Sequence, residues 1–347
     1  MGVSAENPLG LQGIAFIAYT STDADTVSDI FRRLGMSKLM KHRGRSQFYY
    51  RQNNVHFLLD YAESGFERAF AEQHGHSVCA MGWQVENAEF AFEEAIKRGA
   101  ERFVPGKYGE SSLPFPAIFG IGDSLIYFVD ETIETALEKA GFEALSFPDV
   151  QADKGFLFVD HLTNNVYKGT MTYWADFYKR IFGFSEVRYF DIKGSKTGLT
   201  SFALKSPCKT FSIPINEGNE SKSQIEEYLR EYRGTGVQHI ALATHDLLAT
   251  LDRLEHALPM LDIDADYYDE AFARVPNVTE DKAHIQRHQV LVDGDAEGYL
   301  LQIFTQNLLG PIFYEFIQRK NHHAFGEGNF TALFKSIERD QARRGVL

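Results

Sequence analysis

One pattern of elements occurs four times along this chain, and that repeat restricts the possible folds more than any other feature of the sequence. In the first copy, residues 13–19 predict a strand, residues 23–35 predict a helix that ends at a glycine, and residues 46–60 predict further strands. The same order of elements is found in four segments, which are residues 13–60, 78–130, 155–214 and 237–317. Because one such repeat buries its apolar face against a neighbouring copy, the pattern predicts an α+β protein made of four modules.

The length of the chain indicates how these modules are grouped. At 347 residues it exceeds a single ordinary hydrophobic core, for which about 150 residues is typical. We therefore expect two domains, residues 1–150 and residues 151–347, with two modules in each. Pro148 and Gly155 lie within residues 144–155, where the periodicity stops, and we expect an irregular linker there.

The charge and the cysteine content exclude several classes of protein. The chain contains 35 Lys and Arg residues against 48 Asp and Glu residues, so its net charge is −13. Binding of nucleic acid or of an anionic membrane surface requires a basic face, and we expect neither partner. Two cysteines, Cys79 and Cys208, cannot form a disulfide framework, and no stretch of about 18 apolar residues would span a membrane. These features predict a cytoplasmic protein.

Two histidines and one glutamate suggest a metal site. His161 closes the first strand of the third module and His239 lies in the first strand of the fourth, so their positions are equivalent. Glu315 interrupts the apolar run of residues 312–317, where an unpaired buried carboxylate is costly unless a cation offsets its charge. Two imidazoles and one carboxylate leave three adjacent positions open on an octahedral metal, as in oxygen-activating non-heme Fe(II) sites. Zinc accepts the same ligands, and core histidines beside a paired glutamate would produce the same pattern, so spacing alone leaves these alternatives open.

The first half of the chain serves as an internal comparison. Alignment of the modules puts Tyr19, Ala80 and Phe128 at the positions of the three candidate ligands. None of these side chains is an imidazole or a carboxylate. We therefore expect one metal ion per chain, in the second domain.

Other histidines carry weaker signals. His245 follows a strand and precedes Asp246, which predicts a surface position. His322 and His323 lie in a polar segment, and we expect both to be solvated.

Five segments of the second half carry a resemblance to a known family. They are Val-Asp-His-Leu-Thr-Asn-Asn at residues 159–165, Gly-Val-Gln-His-Ile-Ala-Leu at 236–242, Leu-Leu-Gln-Ile-Phe-Thr at 300–305, Phe-Tyr-Glu-Phe-Ile-Gln-Arg at 313–319 and Phe-Gly-Glu-Gly-Asn-Phe-Thr-Ala-Leu-Phe-Lys-Ser-Ile-Glu at 325–338. Together they resemble the 4-hydroxyphenylpyruvate dioxygenases of the vicinal oxygen chelate superfamily. The resemblance is specific across the second domain and looser across the first. It implies four βαβββ vicinal-oxygen-chelate modules paired into two open-barrel domains, plus a C-terminal helix.

The resemblance also implies an activity and a cofactor. Members of this family use Fe(II) to convert 4-hydroxyphenylpyruvate and O2 into homogentisate and CO2, a step of tyrosine and phenylalanine catabolism. Here the iron would be held by His161, His239 and Glu315. The 2-keto acid of the substrate would occupy two of the remaining positions and O2 the third.

Further site residues follow from the family motifs. The resemblance implies catalytic roles for Gln238, Gln302, Phe304 and Phe330. It implies substrate contacts for Ser201, Pro214, Asn216, Gln224, Phe313 and Phe325. The substrate ring would stack between Phe304 and Phe330, and Gln238 is expected to point away from His239 because neighbouring residues on a strand face opposite sides. Gly326 and Gly328 precede an amphipathic segment at residues 331–343, which we expect to form a helix that gates the site.

Several rival functions remain open at this point. Hydroxymandelate synthases use the same substrate and ligands but oxidise the benzylic carbon, although Pro214 and Phe330 match the dioxygenases. A non-catalytic ligand-binding protein of the same fold is a second alternative, and a zinc or nickel isomerase or lyase is a third. The resemblance implies a homodimer or homotetramer. Because the first domain lacks candidate ligands, we expect the subunit contacts there.

Overall fold

The structure, a computed structural model, describes residues 2–106, 109–193 and 197–345. Within these residues the chain forms two eight-stranded mixed sheets and a C-terminal helix. The elements of the first half are β1 (Leu11–Thr20), α1 (Ala24–Arg33), β2 (Ser37–His42), β3 (Gln47–Gln52), β4 (Val55–Asp60), α2 (Phe66–His74), β5 (Ser77–Val85), α3 (Ala88–Lys97), β6 (Ala117–Phe119), a 3-10 turn (Ile121–Asp123), β7 (Leu125–Val129), α4 (Ile133–Lys139) and β8 (Phe142–Asp149).

The second half repeats this arrangement with an added segment in its last module. Its elements are β9 (Phe156–Val166), α5 (Met171–Phe182), β10 (Ser185–Lys193), β11 (Gly198–Lys205), β12 (Ser212–Gly218), α6 (Gln224–Tyr232), β13 (Gly236–Thr244), α7 (Leu247–Leu254), α8 (Tyr267–Arg274), α9 (Lys282–Arg287), β14 (Leu291–Gly294), β15 (Tyr299–Phe304), β16 (Phe313–Lys320), a 3-10 turn (Glu327–Asn329) and α10 (Phe330–Arg343). Helices α8 and α9 belong to the added segment, which joins α7 to β14.

The strand order confirms the repeated modules. The first sheet runs β6-β7-β5-β1-β4-β3-β2-β8 and the second runs β10-β11-β12-β9-β13-β16-β15-β14. In both sheets the first strands of the two modules pair antiparallel at the centre, β1 with β5 and β9 with β13. Each of these strands also pairs in parallel with the last strand of its own module, so the two modules of each half share one sheet.

Local sequence explains where the helices begin and end. The side chain of Asp23 accepts hydrogen bonds from the backbone N–H groups of Asp25 and Thr26, which caps α1. Gly183 ends α5 with φ +78°, in the left-handed region that favours glycine, and a Cβ there would lie 2.5 Å from the carbonyl oxygen of Glu6. The repeated glycine after the first helix of a module is therefore a helix stop.

Aromatic side chains join the two halves, which accounts for part of the high phenylalanine content. Trp83 of β5 is fully buried, and its ring centroid lies 4.4 Å from that of Phe182 and 5.6 Å from that of Phe211. The hydroxyls of Tyr19 and Tyr314 are 2.9 Å apart and connect the centres of the two sheets. The core is thus continuous across both sheets.

The structure corrects the sequence analysis in two places. Residues 144–149 were expected to be irregular, but they belong to β8, which pairs with β2 at the edge of the first sheet. Most side chains of β8 are exposed, so the strand lacks the apolar alternation by which it would have been recognised. The second module is also shorter than βαβββ: only β6 and β7 follow α3 among the described residues, and Arg102 contributes an isolated bridge to Ile118. No helix in the described part of the chain has the length and apolar character needed to cross a membrane.

Candidate metal centre

The register of three neighbouring strands brings the predicted ligands to one face of the second sheet. His161 of β9 lies opposite Ala241 of β13, and Ala241 lies opposite Glu315 of β16. Side chains that face each other across a ladder point to the same side, and residues two apart on a strand also share a side. His239, two residues before Ala241, therefore points the same way as His161 and Glu315.

The three side chains converge on one point. The Nε2 atom of His161 lies 3.1 Å from Oε2 of Glu315, Nε2 of His239 lies 3.4 Å from the same oxygen, and the two Nε2 atoms are 3.4 Å apart. Ligands about 2.1 Å from a metal are separated by about 3.0 Å at a right angle and by about 3.4 Å at a tetrahedral angle. The donor set and its spacing therefore fit a metal ion, and they fit octahedral and tetrahedral geometries alike.

Each histidine is oriented by a partner on its other ring nitrogen. The Nδ1–H of His161 donates to Oδ2 of Asp160 at 2.8 Å, and the Nδ1–H of His239 donates to Oε1 of Gln238 at 3.0 Å. These hydrogen bonds leave each Nε2 lone pair directed at the shared point, which is the usual arrangement of metal-binding histidines. Asp160 in turn accepts two hydrogen bonds from Arg319, at 2.8 and 2.9 Å.

Burial and neighbouring charges set the ionisation of these groups. Burial alone would raise the pKa of Glu315, but His161 and His239 lower it to about 2. Burial opposes the charge of His161, yet Glu315 and Asp160 raise its pKa to about 9. Burial lowers the pKa of His239. At neutral pH a protonated His161 therefore balances the charge of the ionised Glu315, and a bound metal ion would displace the proton from Nε2 of His161 and use the lone pair there.

The equivalent positions of the first sheet contain no such ligands, as expected. The bulges in the pairing of β1 with β5 match those in the pairing of β9 with β13 when Gly82 is aligned with Ala241, and Gly82 lies opposite Phe16 and Tyr127. Phe16 therefore matches His161 and Tyr127 matches Glu315, whereas the sequence alignment chose Tyr19 and Phe128 instead. Ala80 matches His239 as predicted. The bulges of β1 and β9 lie at matching positions, so Gly10 is the equivalent of Gly155; the error arises because the sequence alignment started from Gly13.

The three candidate ligands line a cavity whose walls are largely apolar. Leu333, Phe334 and Ile337 of α10 form one wall, so the amphipathic segment forms a helix whose apolar face covers the site. All ten of the other sequence-predicted site residues line this cavity: Ser201, Pro214, Asn216, Gln224, Gln238, Gln302, Phe304, Phe313, Phe325 and Phe330.

Aromatic rings surround the two histidines. The ring of Phe313 stacks on His239 with centroids 4.8 Å apart, and the ring of Phe325 meets His161 edge-on at 5.7 Å. Phe190 lies 5.1 Å from Phe330 and extends the aromatic wall. Phe190 was not among the predicted site residues, since nothing distinguishes it locally from other phenylalanines of this chain.

Gln238 departs from the expected orientation. The pairing of β13 with β9 skips Gln238, since Val237 and His239 lie opposite the adjacent residues Asn164 and Thr163. Such a bulge breaks the strict alternation of side chains. Gln238 therefore reaches the same cavity as His239 instead of pointing away from it.

Polar contacts connect the ligand Glu315 with the start of α10. The side-chain amide of Gln302 donates to Oε1 of Glu315 at 3.5 Å, and that of Asn329 donates to Oε1 of Gln302 at 3.1 Å. Asn329, fully buried, also accepts hydrogen bonds from Tyr267 and Arg274 of α8. Asp160 and Asn329 were not among the predicted site residues, although both lie inside the family segments.

The remaining histidine predictions had mixed outcomes. His245 and His323 are exposed, as expected. His322 is buried, with Nδ1 at 3.5 Å from Oδ2 of Asp295, so the prediction that it is solvated is wrong. The return of the chain after β16 packs this polar segment against the sheet, which its composition did not indicate.

The repeated sheets and the buried His-His-Glu centre define a protein of the vicinal oxygen chelate class. Residues 5–151 match the family described as hydroxyphenylpyruvate dioxygenase, N-terminal, and residues 158–286 match the glyoxalase/bleomycin resistance protein/dioxygenase superfamily. The chain is 55% identical over 347 residues to Protein MelA of Shewanella colwelliana, with 99% of each chain covered. It is 42% identical over 345 residues to the 4-hydroxyphenylpyruvate dioxygenase of Legionella pneumophila, with 98% of each covered. The chain belongs to the 4-hydroxyphenylpyruvate dioxygenase family.

Solved structures share the fold over nearly the whole chain. A xylose isomerase-like TIM barrel/4-hydroxyphenylpyruvate dioxygenase fusion protein matches 95% of this chain with a TM-score of 0.80 and 27% identity. The chain spans about half of that fusion protein, 53% of its length. A variant of 4-hydroxymandelate synthase from Streptomyces coelicolor also has a TM-score of 0.80, at 23% identity, and covers 95% of this chain and 99% of its own.

Proposed function

We propose that this chain is an Fe(II)-dependent dioxygenase that converts 4-hydroxyphenylpyruvate and O2 into homogentisate and CO2, in tyrosine and phenylalanine catabolism. The observation that carries the proposal is the buried triad of His161, His239 and Glu315 in an aromatic cavity. The chain also aligns over nearly its full length with relatives named for this reaction. One ferrous ion per chain, held by the triad, would supply the redox chemistry that couples O2 reduction to decarboxylation and ring hydroxylation.

The protein's own contribution begins with the orientation of the ligands. Asp160 and Gln238 hold the two imidazoles with their Nε2 atoms directed into the cavity. The amide of Gln302 lies beside Glu315 and offers a neutral donor for the keto acid without adding charge near the metal. Neutral side chains at this end would bind the substrate carboxylate weakly, leaving the metal as its main partner.

A second polar group suits the phenol end of the substrate. Ser201 and Asn216 lie opposite each other on β11 and β12, and both line the cavity. Ser212 lies opposite His161, and Asn216 follows four residues later, about 13 Å along the strand at roughly 3.3 Å per residue. Pro214 lies between Ser212 and Asn216 on the same face of β12, so this part of the cavity wall is apolar. A ligand with a keto acid at one end, a ring in the middle and a hydroxyl at the other matches this order.

The aromatic wall would position the ring. We infer that the substrate ring lies between Phe304 and Phe330, with Phe313 and Phe325 closing the sides. An aromatic contact of this kind adds about 0.5 to 1.5 kcal/mol beyond the burial of area. The apolar face of α10 would exclude water while the keto acid is oxidised.

The remaining features of the proposal concern the whole protein. We propose a cytoplasmic enzyme that assembles as a homodimer or homotetramer and binds neither nucleic acid nor membrane. Cys79 and Cys208, both buried free cysteines, are consistent with a reducing compartment. We also retain the division into domains at residues 1–150 and 151–347, with α10 of the second domain as the gate.

Oxygen consumption and product analysis test the proposal. Purified protein, Fe(II) and 4-hydroxyphenylpyruvate should consume O2 and release equal amounts of CO2 and homogentisate, identified by chromatography. Omission of Fe(II), or the Glu315→Ala variant, should remove both signals. A protein that binds the substrate without consuming O2 would contradict the proposal and favour a ligand-binding function.

Product identity separates the two oxygenase functions. A hydroxymandelate synthase consumes O2 and releases CO2 as well, so only the organic product distinguishes it. Identities of 40–42% over nearly the full chain to relatives named 4-hydroxyphenylpyruvate dioxygenase favour homogentisate. Detection of 4-hydroxymandelate as the main product would overturn the assignment.

A further inference from the structure

A second group of metal-binding side chains lies outside the catalytic cavity. Asp252 belongs to α7, His284 to α9, and His288 follows α9 directly. One ligand atom from each of these side chains lies within 4.8 Å of the others. They are partly or largely exposed, so a cation can reach them from solvent.

The two imidazoles approach the same carboxylate oxygen. Nε2 of His284 lies 3.1 Å from Oδ1 of Asp252, and Nε2 of His288 lies 2.8 Å from it. His284 and His288 are four residues apart at the end of one helix and therefore share a face. Their ring centroids are 5.0 Å apart. The backbone of α7 and α9 thus already presents two nitrogen ligands and one oxygen ligand to a common point.

A fourth ligand is available nearby. His256 follows α7, and its ring centroid lies 6.3 Å from that of His288. Its φ is +60°, so the chain turns sharply there, and its side chain is exposed. A change of side-chain rotamer would complete a set of three nitrogens and one oxygen, while a water molecule would serve the same purpose.

We propose that Asp252, His284 and His288, with His256 or water as the fourth ligand, form a surface site for Zn²⁺. Zinc suits imidazole and carboxylate ligands in tetrahedral geometry, and it needs no redox partner. The ion replaces the hydrogen bonds that Asp252 now accepts, and it links α7 to α9. Its role is to fix the added segment between α7 and β14 on the second domain.

This segment also supports the catalytic cavity. Helix α8 lies in it, and Tyr267 and Arg274 of α8 both hydrogen-bond to Asn329 at the start of α10. Zinc bound at α9 therefore restricts the motion of the segment between α7 and β14, which contacts the start of α10, the helix that covers the cavity. This zinc site does not involve the three ligand positions that were compared between the modules, so it is additional to the single iron ion expected at the triad. It also does not depend on the proposed reaction.

Metal analysis of the iron-loaded enzyme tests the site. The holoenzyme is incubated with ZnCl2, passed through a desalting column, and analysed for iron and zinc in the same sample. The wild type should retain its iron and bind one additional zinc ion per chain. The double variant His284→Ala/His288→Ala should retain iron and lose the zinc. The matched control His245→Ala/His323→Ala, which removes two exposed histidines elsewhere, should bind zinc like the wild type.

A thermal measurement provides a second readout. Zinc should raise the melting temperature of the wild type and of the control, because a ligand bound only by the folded state stabilises it, but not that of the double variant. Asp252→Asn keeps the size of the side chain and removes the anionic ligand, so it should weaken zinc binding at least tenfold. No zinc in the wild type, zinc that merely replaces iron, or zinc retained by the double variant would overturn the proposal.

Discussion

Asp160 and His161 are neighbours on β9, and the carboxylate of the first accepts a 2.8 Å hydrogen bond from the ring of the second. A bulge makes this contact possible: His161 and Val159 lie opposite the adjacent residues Ala241 and Leu242, so Asp160 has no partner on β13. Gln238 precedes His239 at a second bulge and contacts its ring in the same way. Each histidine ligand is thus oriented by the unpaired residue that precedes it.

We predict that Asp160→Asn weakens iron binding about 10- to 100-fold, the usual effect of removing a partner of a metal ligand. The amide retains the size of the side chain and one acceptor oxygen but loses the charge that makes His161 a stronger base. Competition with a chelator measures the dissociation constant for iron. Asp29→Asn, which removes a partly buried carboxylate paired with Arg33 in the first domain, is the control and should leave iron affinity unchanged. Equal affinity in both variants would mean that the Asp160 charge does not tune the site.

The bulges also mark the limit of sequence analysis. His161, His239 and Glu315 were identified because a repeat places equivalent residues at equivalent strand positions, and a carboxylate in an apolar run is conspicuous. Asp160 was not predicted as a site residue, and Gln238 was predicted to point away from His239. Both errors arise because side chains were assumed to alternate strictly along each strand. A bulge is a local defect of pairing between two strands distant in sequence, and neither strand alone reveals it. The match of Tyr19 with His161 has a different cause, because the two modules were aligned on Gly13 when Gly10 is the equivalent of Gly155.

Some strands and helices at the surface were also not predicted from the sequence. The four module helices and the apolar central strands carry periodic patterns, and the sequence predicted them. Strand β8 carries Phe147, which is 94% exposed, and its stability comes from pairing with β2 instead of a buried face. Helices α8 and α9 are short, and tertiary contacts hold them in place, such as the hydrogen bond that the backbone N–H of Val292 donates to the hydroxyl of Tyr267 in α8. The periodicity of apolar residues in the sequence cannot predict elements that depend on such contacts.

Replacement of the ligands should separate functional from surface histidines. We predict that His161→Ala, His239→Ala and Glu315→Ala each abolish oxygen consumption and lower the iron content of the purified protein. His245→Ala should retain near-normal turnover, because its side chain is exposed and lies outside the triad. The measurement is O2 uptake alongside metal analysis. Similar losses at His245 and His239 would show that the wrong histidine was assigned to the metal.

A buried carboxyl in the first domain should make stability depend on pH. Burial raises the pKa of Glu67 to about 7, and the nearby charge of Asp60 adds to this effect, while hydrogen bonds from Ser112 oppose it. The folded state therefore binds a proton that the unfolded state releases at lower pH. The free energy of unfolding should fall as pH rises from about 4.5 to about 7, by an amount on the order of 3 kcal/mol.

Glu67→Gln should remove that part of the pH dependence and raise stability above pH 7. Urea denaturation at a series of pH values measures it. Glu72→Gln, on the exposed side of the same helix and paired with Arg68, is the control and should leave the pH profile unchanged. A Glu67→Gln profile that matches the wild type would show that Glu67 is ionised throughout this range.

Gly326 offers a test of how the C-terminal helix covers the cavity. Its φ is +79°, in the left-handed region, and a Cβ there would collide with the side-chain oxygen of Gln302. Because Gln302 contacts both Glu315 and Asn329, Gly326→Ala should displace the segment that leads into α10. We predict that turnover falls at least tenfold while the protein remains folded.

Gly169→Ala is the matched control: its φ is +84° but the space beside it is open, so it carries the same backbone cost of about 1 kcal/mol without the collision. Steady-state kinetics and thermal melting of both variants separate the two effects. If both variants lose turnover equally, backbone strain accounts for the result; if neither does, closure of α10 does not depend on the contact between Gly326 and Gln302.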